Sequence, residues 1–348
     1  MNQIKISDES CVSAARRSAI LLASQLEWDE TTLGKLAIIV TELATNILKY
    51  AGAKGELLLQ FIENEGIEGI EVLALDKGPG MGNITQCLND GYSTQGTAGT
   101  GLGAVKRLAN FFTIYSIPTQ GTIALAQIWS NKTLASFLSQ KLLMKSICLP
   151  KPGEQVCGDS RIMYQTNERV LFLIADGLGH GPDAAKASQL ACQEFSKLTH
   201  LPIGNIIVAI DEALQKTRGA AIAIAEIEFA KQTLRFAGLG NITGVMYKEN
   251  MVRHLMTRDG IAGLGSSNIQ EFVYPWDDNA LLILHSDGLA TLGGDSVNKY
   301  PGLLMRHPAI IAGIFYRDFN RGYDDITVMA ICKNSVFPSI NYDNFSSD

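Results

Sequence analysis

The chain has 348 residues, of which 46% are hydrophobic and 18% charged, and its formal net charge is −6. At about 100–200 residues per domain, this length predicts two domains that are each large enough to bury a core. An acidic chain without a Lys/Arg stripe has little attraction for a phosphate backbone, so nucleic acid is not an expected partner. The six scattered cysteines form no CxxC pair, which disfavours a zinc site and indicates reduced thiols.

The apolar segments of the chain are short. Runs such as Val170–Ala175 are far below the ~20 residues that span a bilayer, and no cationic segment followed by an apolar stretch stands near Met1. We therefore expect a cytoplasmic protein that does not associate with a membrane. The sequence leaves the oligomeric state open.

The first 130 residues combine helical and strand-like patterns. Apolar residues at three- and four-residue spacing predict helices at Ser13–Leu26 and Glu30–Tyr50, with Asp29 as the N-cap of the second. Further along, the pattern predicts strands at Leu57–Ile62, Ile67–Leu75, Thr113–Ile117 and Thr122–Trp129, and a helix at Ala104–Phe112. This order of helices and strands is typical of an α+β fold.

The pattern changes near Lys132, where a polar stretch leads to a short helical piece that ends at about Gln140. The remaining half reads as strand-rich, with two helices at Asp183–Leu198 and Ile203–Lys216, and it predicts two packed sheets flanked by helices. We predict domains at residues 1–131 and 142–333, a linker at 132–141 and a flexible tail at 334–348.

A polar pair on a helix precedes a glycine-rich loop in the first region. Glu42 and Asn46 are four residues apart and therefore share one face of the predicted second helix. Taken alone, such a pair is often a solvated stripe. Asp76-Lys77-Gly78-Pro79-Gly80-Met81-Gly82 then follows an apolar strand, and its glycines let the backbone approach a flat ligand. Asp76 is placed to accept a hydrogen bond from an exocyclic amine.

A second glycine-rich loop, residues 96–103, leads into the predicted helix Ala104–Phe112. Backbone N–H groups ahead of a helix N-terminus form an anion site that suits a triphosphate, although many such loops are structural turns. The loop matches neither the dinucleotide fingerprint nor the phosphate loop that ends in Gly-Lys-Ser/Thr. The order of the three pieces is therefore more informative than any one of them.

In this order, the three pieces resemble the GHKL ATPase/kinase superfamily and, within it, the anti-sigma-factor type of serine kinase. The resemblance covers residues 8–130, and Tyr50-Ala51-Gly52 and Asp90-Gly91-Tyr92-Ser93-Thr94 are similar to the switch kinase of the bacterial stressosome. It implies a GHKL (Bergerat) α/β sandwich that binds ATP with Mg²⁺, with Asn46 as a ligand of the ion and Glu42 as the residue that polarises the acceptor hydroxyl. The residues that it implies for the nucleotide are Asp76, Gly78, Gly80, Gly99, Thr100, Gly101, Leu102 and Gly103.

Aspartates recur at strand ends and turns in the second region. They occur in Gly158-Asp159, Asp176-Gly177-Leu178-Gly179-His180-Gly181, Ser286-Asp287-Gly288 and Asp324-Asp325-Ile326-Thr327. Each Asp-Gly alone is commonly a turn. Several together at the tips of buried strands would repel one another unless cations neutralise them, and oxygen-only ligands favour Mg²⁺ or Mn²⁺. Two such ions would suit in-line hydrolysis of a phosphomonoester.

This set of motifs, with Gly238-Leu239-Gly240-Asn241, resembles the PPM-type metal-dependent Ser/Thr phosphatases, specifically the bacterial SpoIIE branch and its stressosome feedback phosphatase. The resemblance covers residues 142–333 and implies an α-β-β-α sandwich. It implies two Mn²⁺ or Mg²⁺ ions, with Asp176 bridging both. The carbonyl of Gly177 would serve one ion, Asp287 and Asp324 the other, and Asp159 would orient metal-bound water.

Two assignments stay open at this point. Either Asp324 or Asp325 is the metal ligand, and we favour Asp324 because it matches the Asp of the family's Asp-Asn position. His180 could protonate a leaving serine alkoxide, or it could cap the following helix or bond to its loop.

Together the two resemblances predict a bifunctional partner-switching regulator. The N-terminal domain would phosphorylate, and the C-terminal domain dephosphorylate, STAS-domain proteins such as anti-sigma-factor antagonists or stressosome components. In the alternative, the N-terminal domain is a nucleotide-gated binding module that regulates the phosphatase without kinase activity.

Overall fold

The structure is a computed structural model that describes residues 1–64, 66–88, 101–130, 141–248, 251–265 and 269–334. Its chain divides into two compact units. Unit 1 holds the described residues of 1–141 together with Met305–Arg317 and Asn334, and unit 2 holds Leu142–Leu304 and Asp318–Lys333. The predicted phosphatase domain of residues 142–333 thus includes a segment, 305–317, that packs in unit 1. The predicted helical piece before Gln140 lies outside the described residues, as does most of the predicted linker and tail.

Unit 1 is built on one antiparallel five-stranded sheet in the order β1-β2-β3-β5-β4. Its elements from the first part of the chain are β1 (Asn2–Ile6), α1 (Glu9–Ala23), α2 (Glu30–Tyr50), β2 (Gly55–Asn64), β3 (Ile67–Asp76), α3 (Ile84–Cys87), α4 (Gly101–Leu108), β4 (Phe111–Ile117) and β5 (Gly121–Trp129). Side chains of α1, α2 and α4 pack with the sheet in one apolar core.

Helix α2 shows how the sequence determines the packing of the helices on this sheet. Asp29 caps its start, accepting a hydrogen bond from the N–H of Thr32 at 2.6 Å, as predicted. By length and composition α2 is apolar enough to cross a membrane, yet Leu36, Val40 and Leu43 are buried in the core of unit 1. Its apolar face is therefore accounted for by packing against the sheet.

A helix from far along the chain, α8 (Pro308–Phe319), also packs on this sheet. A Cβ added at Gly313 would lie 3.2 Å from Ile123 and 3.3 Å from Leu75, on β5 and β3. The hydroxyl of Tyr316 accepts a hydrogen bond from the amide of Gln3 on β1 at 2.9 Å. Every residue of β5 is buried, as expected of a strand covered on both faces.

Unit 2 consists of two packed five-stranded sheets, ordered β13-β10-β9-β8-β7 and β12-β11-β14-β15-β6. The strands are β6 (Leu142–Leu149), β7 (Asp159–Gln165), β8 (Arg169–Gly177), β9 (Ala220–Glu228), β10 (Thr233–Leu239), β11 (Thr243–Lys248), β12 (Met251–Leu255), β13 (Phe272–Pro275), β14 (Leu281–His285) and β15 (Ile326–Lys333). One core lies between the sheets. A second core lies between the first sheet and helices α5 (Pro182–Lys197) and α6 (Ile203–Leu214), and a short helix, α7 (Gly294–Asn298), follows β14.

The predicted elements are largely confirmed, with four main differences. The predicted helix Ser13–Leu26 begins and ends earlier, as α1, because Asp8 caps its start. The predicted helix Ala104–Phe112 begins and ends earlier, because β4 starts at Phe111. Strand β1 was not predicted, since an edge strand with only Ile6 buried carries no alternating pattern. Helix α8 lies in a segment expected to be strand-rich. Its run of Ile, Phe and Tyr is buried almost all round, which removes the amphipathic signal.

Candidate functional site

The first candidate site lies in unit 1, where α2 passes the start of α4. A Cβ added at Gly101 would lie 2.8 Å from Oε2 of Glu42 and 3.7 Å from Oδ1 of Asn46. The structure thus brings this helical pair to the beginning of α4. Nδ2 of Asn46 is buried and has no hydrogen-bond partner among the described residues. A buried amide without a partner is costly, so it points to a ligand at this place.

Asp76 is the last residue of β3, and its carboxylate stabilises the loop that follows. Its Oδ1 accepts hydrogen bonds from the N–H of Gly78 at 2.7 Å and of Thr122 at 3.2 Å. Its main-chain carbonyl accepts a 2.8 Å bond from the guanidinium of Arg317 on α8. Burial raises the pKa of Asp76, and the two N–H donors and Arg317 oppose that rise. Sequence reasoning missed Arg317, because nothing in its local pattern relates it to residue 76.

Glycine is required in the loop after Asp76. Gly80 has φ +68°, and a Cβ there would lie 2.1 Å from the carbonyl oxygen of Ile117. A Cβ at Gly78 would lie 2.9 Å from Cα of Ala51. The loop therefore passes close to neighbouring backbone, which requires glycine at these positions. Its approach to a flat ligand stays a prediction.

The predicted phosphate loop is only partly described. Gly99 and Thr100 lie outside the described residues, whereas Gly101, Leu102 and Gly103 form the first turn of α4. The first N–H groups of a helix have no partner within the helix, so the start of α4 is suited to an anion. Glu42 and Asn46 lie beside it, so one face of α2 and the start of α4 could share one nucleotide.

The second candidate site lies in unit 2, at one edge of the sheet that contains β7 and β8. Asp159 at the start of β7 pairs in register with Asp176 near the end of β8. In the other sheet, Asp287 lies two residues after the end of β14 and Asp325 directly precedes β15. The end of one strand and the start of its antiparallel neighbour meet at one edge of a sheet, and this topology gathers the predicted aspartates.

Ser286 links three of the strands. Its hydroxyl donates to Oδ2 of Asp159 at 2.6 Å and accepts from the N–H of Thr327 at 2.9 Å. Asp159 is buried, and its Oδ1 has no partner among the described residues. The sequence placed Ser286 in a motif but gave it no role, and the structure shows it holding Asp159 in place.

Asp324 and Asp325 have different surroundings. Asp325 is buried, its Oδ1 accepts from the N–H of Lys151 at 2.9 Å, and its Oδ2 is buried without a partner in the described part of the chain. A Cβ at Gly158 would lie 2.5 Å from that Oδ2. Asp324 is half-buried, and its charge acts on Asp176 and Asp287. The charge of Asp325 also acts on Asp176, but less than that of Asp324, and Asp325 contacts the loops at Lys151 and Gly158.

Burial and neighbouring negative charge raise the pKa of three of these carboxyl groups. Burial, with the negative charges of Asp287 and Asp324, raises the pKa of Asp176 to about 7. Burial and the charge of Asp176 raise the pKa of Asp159 well above its ordinary value. Burial and Asp324 likewise raise the pKa of Asp287. Each ionised carboxylate is therefore unfavourable next to the others, which is the setting that a divalent cation relieves.

The donor set fits a hard divalent ion. Oxygen atoms of several aspartates and of the Gly177 carbonyl suit Mg²⁺ or Mn²⁺, and two buried carboxylate oxygens, on Asp159 and Asp325, have no partner within the described ranges. No three His, Cys, Asp or Glu side chains of those ranges already stand close enough to enclose an ion. The fit therefore rests on the chemistry of the donors and on their convergence, not on a preformed cage.

His180 and Asp287 each have a polar partner that the sequence did not single out for the site. Nδ1 of His180 is 2.6 Å from Oε1 of Glu154, in a loop whose sequence carried no signal. Oδ2 of Asp287 accepts from the amide of Asn241 at 2.7 Å. Asn241 closes the Gly-Leu-Gly-Asn motif noted in the sequence, so its role could have been found there.

Comparisons with known proteins agree with a nucleotide-type site in the first part of the chain and a phosphatase-type site in the second. Residues 7–126 match the histidine kinase-like ATPase domain family, and residues 166–333 match the Stage II sporulation protein E (SpoIIE) family. The serine/threonine-protein kinase RsbT of Bacillus subtilis (strain 168) is 34% identical over 132 residues, which cover 36% of this chain and 98% of that kinase. The phosphoserine phosphatase RsbX of the same organism is 25% identical over 144 residues, covering 40% of this chain and 71% of that phosphatase.

A solved structure from the bacterial stressosome, described as a modular system adapted to control secondary messenger signalling, is similar in fold. It aligns with 55% of this chain and 100% of its own length, at 22% identity and a TM-score of 0.51. The likeness at this identity concerns the fold.

Proposed function

Since the chain belongs to the RsbT-like group of histidine kinase-like ATPase domains and carries a SpoIIE-type PPM phosphatase domain, we propose that it acts on one substrate class in both directions. It phosphorylates serine or threonine on STAS-domain proteins, anti-sigma-factor antagonists or stressosome components, and removes the same phosphate. The observation that carries this proposal is the pairing of a nucleotide-type site at Glu42 and Asn46 with an aspartate cluster around Asp176 on one chain.

In the kinase reaction, the role proposed for each residue follows from its place around the nucleotide-type site. Oδ1 of Asn46 would hold Mg²⁺, which, when bound, neutralises charge on the phosphates of ATP. Oδ2 of Asp76 accepts from the exocyclic amine of adenine, since the hydrogen bonds described for this carboxylate fall on Oδ1. Glu42, one helical turn from Asn46, accepts the proton of the serine hydroxyl. The N–H groups at Gly101–Gly103, with Gly99 and Thr100, hold the phosphates.

In the phosphatase reaction, Asp176, Asp287, Asp324 and the carbonyl of Gly177 would hold two Mn²⁺ or Mg²⁺ ions. When bound, such ions activate water and neutralise the phosphate oxygens. Asp159, held by the hydroxyl of Ser286, orients the attacking water. His180 donates a proton to the leaving serine oxygen, and Glu154 holds its ring.

A purified STAS-domain protein from the organism that encodes this chain tests both the kinase and the phosphatase part of the proposal. With ATP and Mg²⁺ we expect phosphoserine to form, and with Mn²⁺ and no ATP we expect it to be lost. Asp176→Asn should abolish the Mn²⁺-dependent loss while leaving phosphorylation intact. Full phosphatase turnover in that variant would contradict the two-ion assignment, and ATP binding without transfer to any STAS protein would contradict the kinase assignment.

The alternative is that the N-terminal domain is a nucleotide-gated binding module that regulates the phosphatase without transferring phosphate. The hydrogen bond from Arg317 to Asp76 favours it, because α8, which carries Arg317, continues into residues of unit 2. Glu42→Ala separates the two. Loss of phosphorylation with ATP binding retained supports the kinase, whereas an unchanged response of the phosphatase to ATP, with no phosphorylation by the unaltered chain, supports the module.

We also propose a cytoplasmic location with neither nucleic acid nor membrane as a partner. The acidic net charge and the burial of the apolar face of α2 support this location.

A further inference from the structure

Two cysteines of unit 2 lie in contact beside the aspartate cluster. Cys148 is the penultimate residue of β6, and Cys157 lies in the loop that leads to β7. Their Sγ atoms are 3.6 Å apart, and both residues are half-buried. Neither thiol has a role in phosphoryl transfer, so their meeting is not explained by the chemistry proposed above.

We propose that Cys148 and Cys157 form a redox-sensitive modification site that a hydroperoxide converts into a disulfide. One thiolate attacks a peroxide oxygen, giving a sulfenic acid and releasing water from hydrogen peroxide. The second thiol attacks the sulfenic sulfur, the S–S bond forms, and a second water leaves. The two thiols lose two electrons and two protons, which the peroxide takes up as water. A dithiol reductant reverses the change by thiol–disulfide exchange.

The local structure allows the disulfide bond to form with only a small movement of the chain. Since an S–S bond is about 2.05 Å long, the two sulfurs must approach by only about 1.5 Å. Cys148 lies on a strand that is paired with β15 along its whole length. Cys157 lies outside the named strands, so the loop that carries it supplies the movement.

That movement reaches the aspartate cluster directly. Gly158 lies between Cys157 and Asp159, and its carbonyl accepts from the N–H of Gly177 at 3.2 Å. Its Cα is so close to Asp325 that an added Cβ would lie 2.5 Å from Oδ2. Closing the disulfide therefore shifts Gly158, with its hydrogen bond to Gly177, and the start of β7 at Asp159.

We expect the disulfide to lower phosphatase turnover on the order of tenfold, because small displacements of reacting groups are costly. This effect rests on the proposed phosphatase function, whereas formation of the bond does not.

The test uses the full chain, reduced and then exposed to a few equivalents of hydrogen peroxide. The chain is cleaved after Glu154, which puts Cys148 and Cys157 in different peptides. Mass spectrometry without reduction should show these peptides joined, with the loss of two hydrogen atoms, and dithiothreitol should separate them. Turnover of p-nitrophenyl phosphate with Mn²⁺, measured after the peroxide is removed, should fall and then recover on reduction.

Matched variants identify the pair. Cys157→Ser should keep its turnover under the same peroxide dose, while Cys11→Ser, in unit 1, should lose it as the unaltered chain does. Absence of the joined peptide when other thiols are oxidised, or a bridge from Cys148 to Cys192, overturns the proposal. A bridge that leaves turnover unchanged overturns its regulatory part. If the reduced chain has no phosphatase activity at all, the proposed function fails, and the mass spectrum still decides whether the bond forms.

Discussion

At the scale of single residues, two neighbouring aspartates have different surroundings. Asp325 is buried and accepts a hydrogen bond from the N–H of Lys151, whereas Asp324 is half-buried. Both charges raise the pKa of Asp176, Asp324 more strongly, and Asp324 also raises the pKa of Asp287. The motif Asp-Asp-x-Thr could not separate them, because adjacent residues have the same chemistry and differ only in the direction of their side chains. The surroundings support Asp324 as the proposed ligand.

Replacing each of the two aspartates should therefore affect different properties. Asp324→Asn should raise the Mn²⁺ concentration needed for half-maximal phosphatase turnover by about 10- to 100-fold, because it removes a ligand charge. Asp325→Asn keeps an oxygen for Lys151 and should change the Mn²⁺ requirement by less. Manganese titrations of both variants at saturating p-nitrophenyl phosphate check this, and the reverse order would reassign the ligand to Asp325.

Asp76 predicts a pH dependence of nucleotide binding. Burial raises its pKa above the ordinary value of 3.8, so the folded chain takes up a proton at a higher pH than an exposed aspartate does. Protonation favours the fold, because it removes a buried charge, but it also removes the anionic acceptor proposed for adenine. ATP affinity should therefore weaken as the pH falls towards this raised pKa.

Isothermal titration with ATP at several pH values measures that dependence. Asp76→Asn keeps an oxygen for Gly78 and Thr122 but cannot ionise, so its weaker affinity should not vary with this proton. A pH dependence that persists unchanged in Asp76→Asn would assign the titration to another group.

At the scale of elements, the conformation of the loop after β3 requires glycine at position 80, where the loop lies closest to the backbone of β4. Gly80→Ala should destabilise unit 1 by about 1–3 kcal/mol and weaken ATP binding, because φ is +68° and the new Cβ would meet the carbonyl of Ile117. Gly82 is the matched control, since a Cβ there would have nothing within 4 Å. Thermal midpoints and ATP affinities of Gly80→Ala and Gly82→Ala check the difference, and equal losses in both would show that Gly80 carries no special constraint.

Local patterns predicted the elements whose signals are local. Helix α2 begins and ends where its cap and periodicity place it, and β3 and β5 match the predicted strands to within one residue. Ser286 was visible only as part of a motif, because its bond to Asp159 joins residues that are far apart in sequence. Arg317 was invisible for the same reason. Long-range partners of this kind are set by the fold and leave no mark on the neighbouring sequence.

At the scale of the whole molecule, the compact units do not follow the chain order. The chain passes between them after residues 141, 304, 317 and 333, and α8 begins in unit 1 and ends in unit 2. The part of α8 within unit 1 packs on β3 and β5 through Gly313 and donates to Asp76 through Arg317. A segment within the SpoIIE match, residues 166–333, is therefore part of the packing of the nucleotide-type unit.

Enlarging Gly313 should consequently disturb nucleotide binding from a distance. In Gly313→Val, added atoms meet Ile123 and Leu75, and we expect a loss of about 1–3 kcal/mol in the stability of unit 1 together with weaker ATP binding. Gly34→Val is the control, because Gly34 also lies in a helix but is exposed, with nothing within 4 Å of its added Cβ. Thermal unfolding and ATP titration of both variants check this, and equal effects would show that the contacts of Gly313 with Ile123 and Leu75 impose no special constraint.

The position of α8 also determines which fragments of the protein can be expected to fold. A fragment that stops at residue 130, where the sequence resemblance to the serine kinases ends, would leave Leu75, Ile123 and Tyr115 without the segment that contacts them here through Arg306 and Gly313. Such a fragment should aggregate or bind ATP poorly for reasons unrelated to its catalytic residues. A peptide of residues 305–319, added in trans or joined through a linker, should restore it. Assays on separated halves will therefore report on the chemistry of the intact chain only if this helix is supplied to the first half.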